Sequence, residues 1–292
     1  MQTYPVNEHD LSQKLLAEIF KALGWGTGHL LRVPFTPLFS AASRRFARIA
    51  ARFDQDVAAR GFRDAARRLL PHFVREVHVR GVEGVPTEGP LLVVSNHPGT
   101  IDGLAIAAHL PRPDLKIVVS GVPFIRHLRA TANYLIYCSL DTFERMKVVL
   151  SAIRHLQDGG AVLIFPSGGI DPDPAVMPGA LEALETWSPS IEVILRHVPS
   201  ARALITFVSG VLHPTWARSP LTHLRRGRRE RQRVAEFFQV IQQMLFPGRL
   251  LVSPLVCFDR PRQFSPRREA PLLPDLISAA REHFRQVQGE IS

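Results

Sequence analysis

LLVVSNHPGTIDG, residues 91–103, is the stretch on which the reading of this chain turns. Its first four residues are apolar without polar alternation, as in a strand buried on both faces. The strand ends at Ser95 and Asn96, and His97-Pro98-Gly99-Thr100 follows with Pro second and Gly third, a turn pattern in which glycine readily takes a positive φ. Asp102 then opens the next helix, close enough to accept a hydrogen bond from the imidazole and hold its tautomer. In open α/β sheets ligands bind beyond the carboxyl ends of strands, where this turn lies. Spacing alone carries little weight. With 12 His and 12 Asp among 292 residues, chance supplies about half a match to H-x4-D, and His109 with Asp114 is a second match. Position separates the two pairs, because His109 falls at the end of a predicted helix and two prolines lie between it and Asp114.

Outward from this stretch, short apolar runs alternate with helical patterns. VHVRG, PLLVVSN, LKIVVSG, YLIYCSL, AVLIFPS, ALITFVSGVL and LVSPLVCF read as strands. Helices are predicted at 102–110, 123–133, 144–157, 179–197, 229–246 and 275–288. The alternation predicts an α/β fold, a mainly parallel mixed sheet flanked by helices, over residues 76–292. Residues 1–75 form an N-terminal amphipathic helical region: Leu11, Leu15, Leu16, Ile19, Phe20 and Leu23 recur at helical spacing, then Leu38, Ala42, Phe46, Ile49 and Phe53. Opposite the second stripe stand Arg44, Arg45, Arg48 and Arg52, which fit either a solvated face or a helix lying on an anionic membrane surface.

Composition narrows the classes. A hydrophobic content of 46% supports a globular core, and two distant cysteines, Cys138 and Cys257, argue against a disulfide framework and a cysteine zinc site. The net charge of +10 is carried mostly by arginine, since Lys14, Lys21, Lys116 and Lys147 are the only lysines. Such a surface attracts anionic partners. No run reaches the length of a membrane span and no leader pattern opens the chain, so a cytoplasmic protein, peripheral on the inner face of the membrane, is expected. Nothing resembles a helix-turn-helix or an aromatic RNA-binding signature, so nucleic acid is not an expected partner.

A second loop repeats the geometry of the first. AVLIFPSGGIDPDP, residues 161–174, leaves an apolar strand into Ser167, Gly168 and Gly169, whose flexible backbone lets N–H groups converge on an anion. By itself it reads first as an ordinary strand-to-helix turn. Together, strand-NHPGTID followed by strand-FPSGG resembles the glycerolipid acyltransferases of the glycerol-3-phosphate and 1-acylglycerol-3-phosphate type, over about residues 76–215. PSGGID is nearer the third loop of the plastid-type branch than the F-P-E-G-T-R form. GVPFIRHL, residues 121–128, loosely occupies the place of the acceptor-side block.

The resemblance implies transfer of a fatty acyl group from a thioester, acyl-CoA or acyl carrier protein, to a hydroxyl of a glycerolipid-type acceptor in phospholipid biosynthesis, with no resident cofactor or metal. His97 is then the general base and Asp102 its orienting acid, while Gly99, Thr100, Ser167, Gly168 and Gly169 are expected to bind substrate or its oxyanion. The chain departs from the pattern where a basic residue would follow the glycines, at Ile170, and where basic residues would follow YLIYCSL, at Leu140 and Asp141. Arg126, Arg129 and Arg145 are the nearby candidates to substitute. Two other classes compete. One is a lipid or thioester hydrolase using Ser167 with His97 and Asp102, although the G-x-S-x-G elbow is absent. The other is a non-catalytic binder of an anionic surface through RRGRRERQR, residues 225–233.

Overall fold

The computed structural model describes residues 6–26, 28–120, 123–138, 142–223, 227–264 and 271–289. Strands β1 (His78–Arg80), β2 (Leu91–Ser95), β3 (Leu115–Ser120), β4 (Leu135–Cys138), β5 (Ala161–Ile164), β6 (Arg202–Ser209) and β7 (Leu255–Phe258) join in the order β1-β7-β6-β2-β5-β3-β4, with β8 (Arg262–Gln263) on β6 beside this path. From β6 through β4 every pairing is parallel. β7 and β8 run antiparallel to β6, and β1 is parallel to β7. The sheet is therefore mixed and mainly parallel.

Burial explains the uninterrupted apolar runs. Leu91 and Val93 of β2, Ala161 and Leu163 of β5, and Leu204 and Val208 of β6 enter one apolar cluster. Their alternating neighbours Leu92, Val94, Val162, Ile164, Ile205 and Phe207 enter another on the opposite face. Successive strand residues point to opposite faces, so a strand covered on both sides favours apolar residues at nearly every position, Ser95 and Thr206 being buried polar exceptions. Each fully buried Leu, Ile or Val contributes roughly 1.5–3 kcal/mol relative to exposure.

Helices α1 (Glu8–Leu23), α2 (Arg32–Arg60), α3 (Phe62–Leu69) and α4 (Asp102–His109) supply side chains to the first face, with Phe20, Phe53, Phe62 and Ile106 sharing a cluster with Leu91 and Val93. Phe20, Phe39, Ile49, Phe53 and Phe62 of the 1–75 region thus pack into the layer over the sheet. Helices α5 (Thr142–Gln157), α6 (Ala180–Ala183), α7 (Ser190–His197), α8 (Pro214–Ala217), α9 (Pro220–His223), α10 (Arg228–Leu245) and α11 (Leu273–Gly289) follow. α5, α7 and α11 cover the second face, and Ile241 and Met244 of α10 join the first.

Two expected helices differ in the structure. The stretch 123–133 forms short 3-10 turns, Pro123–His127 and Thr131–Tyr134, instead of one α-helix. The buried carboxylate of Asp54, on α2, accepts from Ala130 N–H at 3.3 Å, Thr131 N–H at 2.8 Å and the Thr131 hydroxyl at 2.8 Å. That capture restarts the chain there and delivers it into β4. The stretch 179–197 is broken between α6 and α7 at Trp187-Ser188-Pro189, where Trp187 inserts into the core and Ser188 N–H bonds Pro166 O at 2.9 Å.

Candidate functional site

Asn96 starts the site. Its side-chain amide donates to Val208 O and accepts from Val208 N–H, both at 2.8 Å, continuing the β2–β6 pairing one residue beyond the strand. The chain then turns, and His97 and Asp102 meet: His97 Nδ1–H donates to Asp102 Oδ2 at 2.8 Å. That oxygen also accepts Gly99 N–H at 3.0 Å, while Oδ1 accepts Gly103 N–H at 2.6 Å. Asp102 is 1% exposed and stands in the first turn of α4, where the helix end favours its charge. The His97 side chain is 29% exposed, and Phe165 stacks on its ring at 4.4 Å. With Nδ1 engaged, Nε2 is the nitrogen available to a ligand.

The second loop is tied to the same histidine. His97 N–H donates to Asp171 Oδ2 at 3.0 Å, and Asp171 N–H returns a bond to His97 O at 2.7 Å. The Ser167 hydroxyl lies 2.9 Å from Asp171 Oδ2 and 2.8 Å from Gly169 O, and among the described residues it makes no hydrogen bond to His97. Gly168 holds a φ of 66°. Burial pushes Asp171 above the ordinary carboxylate range, against the bonds from His97 and Ser167 that favour its charge. For His97 burial acts downward, but the charge and hydrogen bond of Asp102, with Glu236 and Asp171 behind it, raise the imidazole to about 9.

Gly99 differs from the expected turn. It is not among the glycines of positive φ. A side chain is excluded instead by contact, since a Cβ there would lie 2.7 Å from Glu236 Oε1 and 3.0 Å from Val211 Cγ2. The donors expected to serve an oxyanion at Gly99 and Thr100 are also committed. Asp102 takes the Gly99 N–H, and Glu236 Oε1 takes both the N–H and the hydroxyl of Thr100.

Arg126 and Arg129 are exposed, on the segment after β3, and Arg126 lies over the Tyr137 ring at 5.4 Å. Among the described residues neither bonds to the 97–102 turn or the 167–171 loop. The side chain of Arg145, and Leu140, Asp141, Arg225 and Arg226, lie outside the described residues. His109 bonds its own helix, Nδ1 to Ala105 O at 2.9 Å, and Asp114 instead pairs with Arg112 at 2.8 and 2.6 Å. The second H-x4-D match is thus two unrelated structural contacts.

α10 supplies what sequence reading missed. Gln232 donates to Pro98 O at 2.6 Å and Asp171 O at 2.7 Å and accepts from Asp173 N–H at 3.0 Å, joining the two loops. Arg229 reaches over the glycines: its Nη1 is 3.7 Å from where a Gly169 Cβ would stand, and its Nη2 is 3.9 Å from Asp171 Oδ1. A signal existed in the spacing of Gln232, Glu236, Gln239 and Gln243, a polar stripe at helical period, all of them buried. Among the described residues no group of three or more His, Cys, Asp or Glu is placed to hold a metal ion.

Residues 76–186 match the family model described as acyltransferase. Uncharacterized proteins of Mycobacterium tuberculosis and Mycobacterium bovis are each 33% identical over 116 residues, a match spanning 35% of this chain and 30% of theirs. The crystal structure of PlsC, the 1-acyl-sn-glycerophosphate acyltransferase of Thermotoga maritima, is similar with a TM-score of 0.42 and 14% identity over 97% of this chain and 98% of that one. The stretch that matches the acyltransferase family model, residues 76–186, carries His97, Asp102 and the Ser167–Asp171 loop.

Proposed function

We propose that this protein is an O-acyltransferase, moving a fatty acyl group from a thioester, acyl-CoA or acyl carrier protein, to a hydroxyl of a glycerolipid-type acceptor. The observation that carries the reading is the 2.8 Å bond from His97 Nδ1 to a buried Asp102 within the acyltransferase segment, which leaves Nε2 as base. His97 Nε2 removes the acceptor proton as the oxygen attacks the thioester carbonyl. A tetrahedral oxyanion forms, then collapses to the ester and expels the thiolate, which takes the proton from the imidazolium. Asp102 keeps the imidazolium charge balanced throughout. An imidazole with a pKa of about 9 is unprotonated in roughly one molecule in a hundred at pH 7, so turnover rises with pH until His97 has titrated.

The hydrolase alternative is disfavoured, because the Ser167 hydroxyl is committed to Asp171 and Gly169 and the base has Asp102 and Phe165 as its ring partners. Arg229, 47% exposed beside Gly169, supports an acceptor that carries a phosphate, in the role that Ile170 lacks. The exposed Leu30, Leu31, Val33, Phe35 and Leu38, followed on α2 by exposed Arg44, Arg48 and Arg52, support a peripheral site of action on the inner face of an anionic membrane. Arg44, Arg45 and Arg48 also line an open cleft of about 280 Å³ with Met244 and Leu245. The test is an acceptor screen with an acyl thioester, comparing glycerol 3-phosphate, lysophosphatidate and an uncharged lysolipid, with ester product and thioester cleavage both measured. Ester formation on a phosphorylated acceptor is expected; thioester cleavage without transfer to any acceptor contradicts the reading.

A further inference from the structure

The turn from His97 to Gly103 brings backbone N–H groups together at the start of α4, an arrangement that ordinarily draws an anion. Here the anions are the protein's own carboxylates. Asp102 takes the N–H groups of Gly99 and Gly103, and Glu236, arriving from α10, takes the N–H and hydroxyl of Thr100 on a single oxygen. That oxygen, Oε1, accepts both bonds and donates neither. Glu236 is buried against Gly99 and Val211, and it shares the surroundings of His97 with Asp102 on α4 and with Asp171 after β5. Arg229 stands opposite Asp171, with Nη2 3.9 Å from Asp171 Oδ1 and donating to the Thr186 hydroxyl at 3.0 Å.

We propose that Glu236 is a positioning residue: through Thr100 it locks the 97–102 turn so that Asp102 faces His97, and its carboxylate is a second counter-charge to the imidazolium. The energetic logic is that a buried carboxylate without a basic partner is costly unless it is hydrogen-bonded and faces a positive charge. Burial, with the Asp102 charge nearby, holds Glu236 above the ordinary carboxylate range, against the hydrogen bonds of Thr100 and the charge of His97, which pull it down. Its ionised form and the protonated imidazole therefore support each other. Placing the carboxylate on a helix remote in sequence also couples the base to the packing of α10. This inference rests on the proposed function only in that activity is one of its readouts.

The test is titration of the His97 imidazole by NMR in the full chain, alongside the pH profile of kcat/KM. In Glu236→Gln the imidazole pKa should fall by about one pH unit, and the acid limb of the profile should fall with it. The plateau kcat should drop about 10-fold with KM little changed, as expected when the base is misplaced and acceptor binding is not. Glu236→Asp keeps the charge but shortens the reach, so it should lose plateau rate while its imidazole titrates within a few tenths of a unit of wild type. A purely structural Glu236 predicts a lower Tm and an unmoved titration in Glu236→Gln, which overturns the proposal. If that variant does not fold, carboxyl-carbon NMR of the wild type decides: Glu236 should be ionised throughout the range where His97 titrates, and a neutral carboxyl there overturns it. Loss of transfer in His97→Ala together with an unmoved Glu236→Gln titration refutes this inference alone. A moved titration in a protein without transferase activity refutes the proposed function alone.

Discussion

His97 and Asp102 were legible as a pair because the motif combined a strand end, a turn and a helix start, and each of these has its own residue chemistry. Glu236 left only the polar stripe it shares with Gln232, Gln239 and Gln243, and such a stripe reads equally as a solvated helix face. Gly99 was identified with the wrong cause: the turn pattern suggested a positive φ, whereas the close approach of Glu236 and Val211 is what excludes a side chain. Such contacts link residues over a hundred positions apart. The electrostatics of His97 give a measurable consequence. Its folded pKa of about 9 lies above the ordinary 6.5, so its contribution to stability is fully present below about pH 6.5 and is lost as pH rises through 9. Urea unfolding should show wild type losing on the order of 3 kcal/mol across that window relative to His97→Gln. Parallel pH curves for the two proteins would contradict it.

At the scale of elements, strands β2, β5 and β6 coincide with the apolar runs because burial on both faces dictates their composition, whereas β1 is short and mostly exposed. The two misread segments, 123–133 and 179–197, had helical spacing but were ended by tertiary interactions: Asp54 in the first, and Trp187 with Ser188 in the second. The two-residue β8 is too short to leave a pattern. In α10 the apolar residues Val234, Phe237, Phe238 and Ile241 gave the helix, while Gln232, Glu236, Gln239 and Gln243 serve as its bonds to the loops. Gln232→Leu keeps the volume but strands Pro98 O, Asp171 O and Asp173 N–H without their partner. It should cost about 3 kcal/mol or more in urea unfolding and weaken transfer more than a surface substitution on the same helix. A neutral result would show that the loops are held without α10.

For the whole molecule, net charge and the apolar residues near the start of α2 point the same way. Among the described residues no helix is long and apolar enough to cross a membrane. Leu30 and Val33 are 89% and 79% exposed, and Arg44, Arg48 and Arg52 are exposed farther along α2, a combination that suits an anionic surface. The sequence showed the basic face, but the apolar tip was hidden in a stretch whose helical register begins at Arg32. The protein should sediment with anionic vesicles at low salt and be partly released at high salt, and Leu30→Ser with Val33→Ser should weaken binding without lowering the Tm. Equal sedimentation with neutral and anionic vesicles at all salt concentrations would contradict an electrostatic contribution. The central claim is chemical, and its most direct test is single-turnover ester formation from an acyl thioester and a lysophosphatidate acceptor, measured for wild type, His97→Ala and His109→Ala. We predict at least a 100-fold loss in His97→Ala with the fold intact and near-wild-type rates in His109→Ala; equal rates in all three proteins, or equal losses in both variants, would contradict His97 as the base.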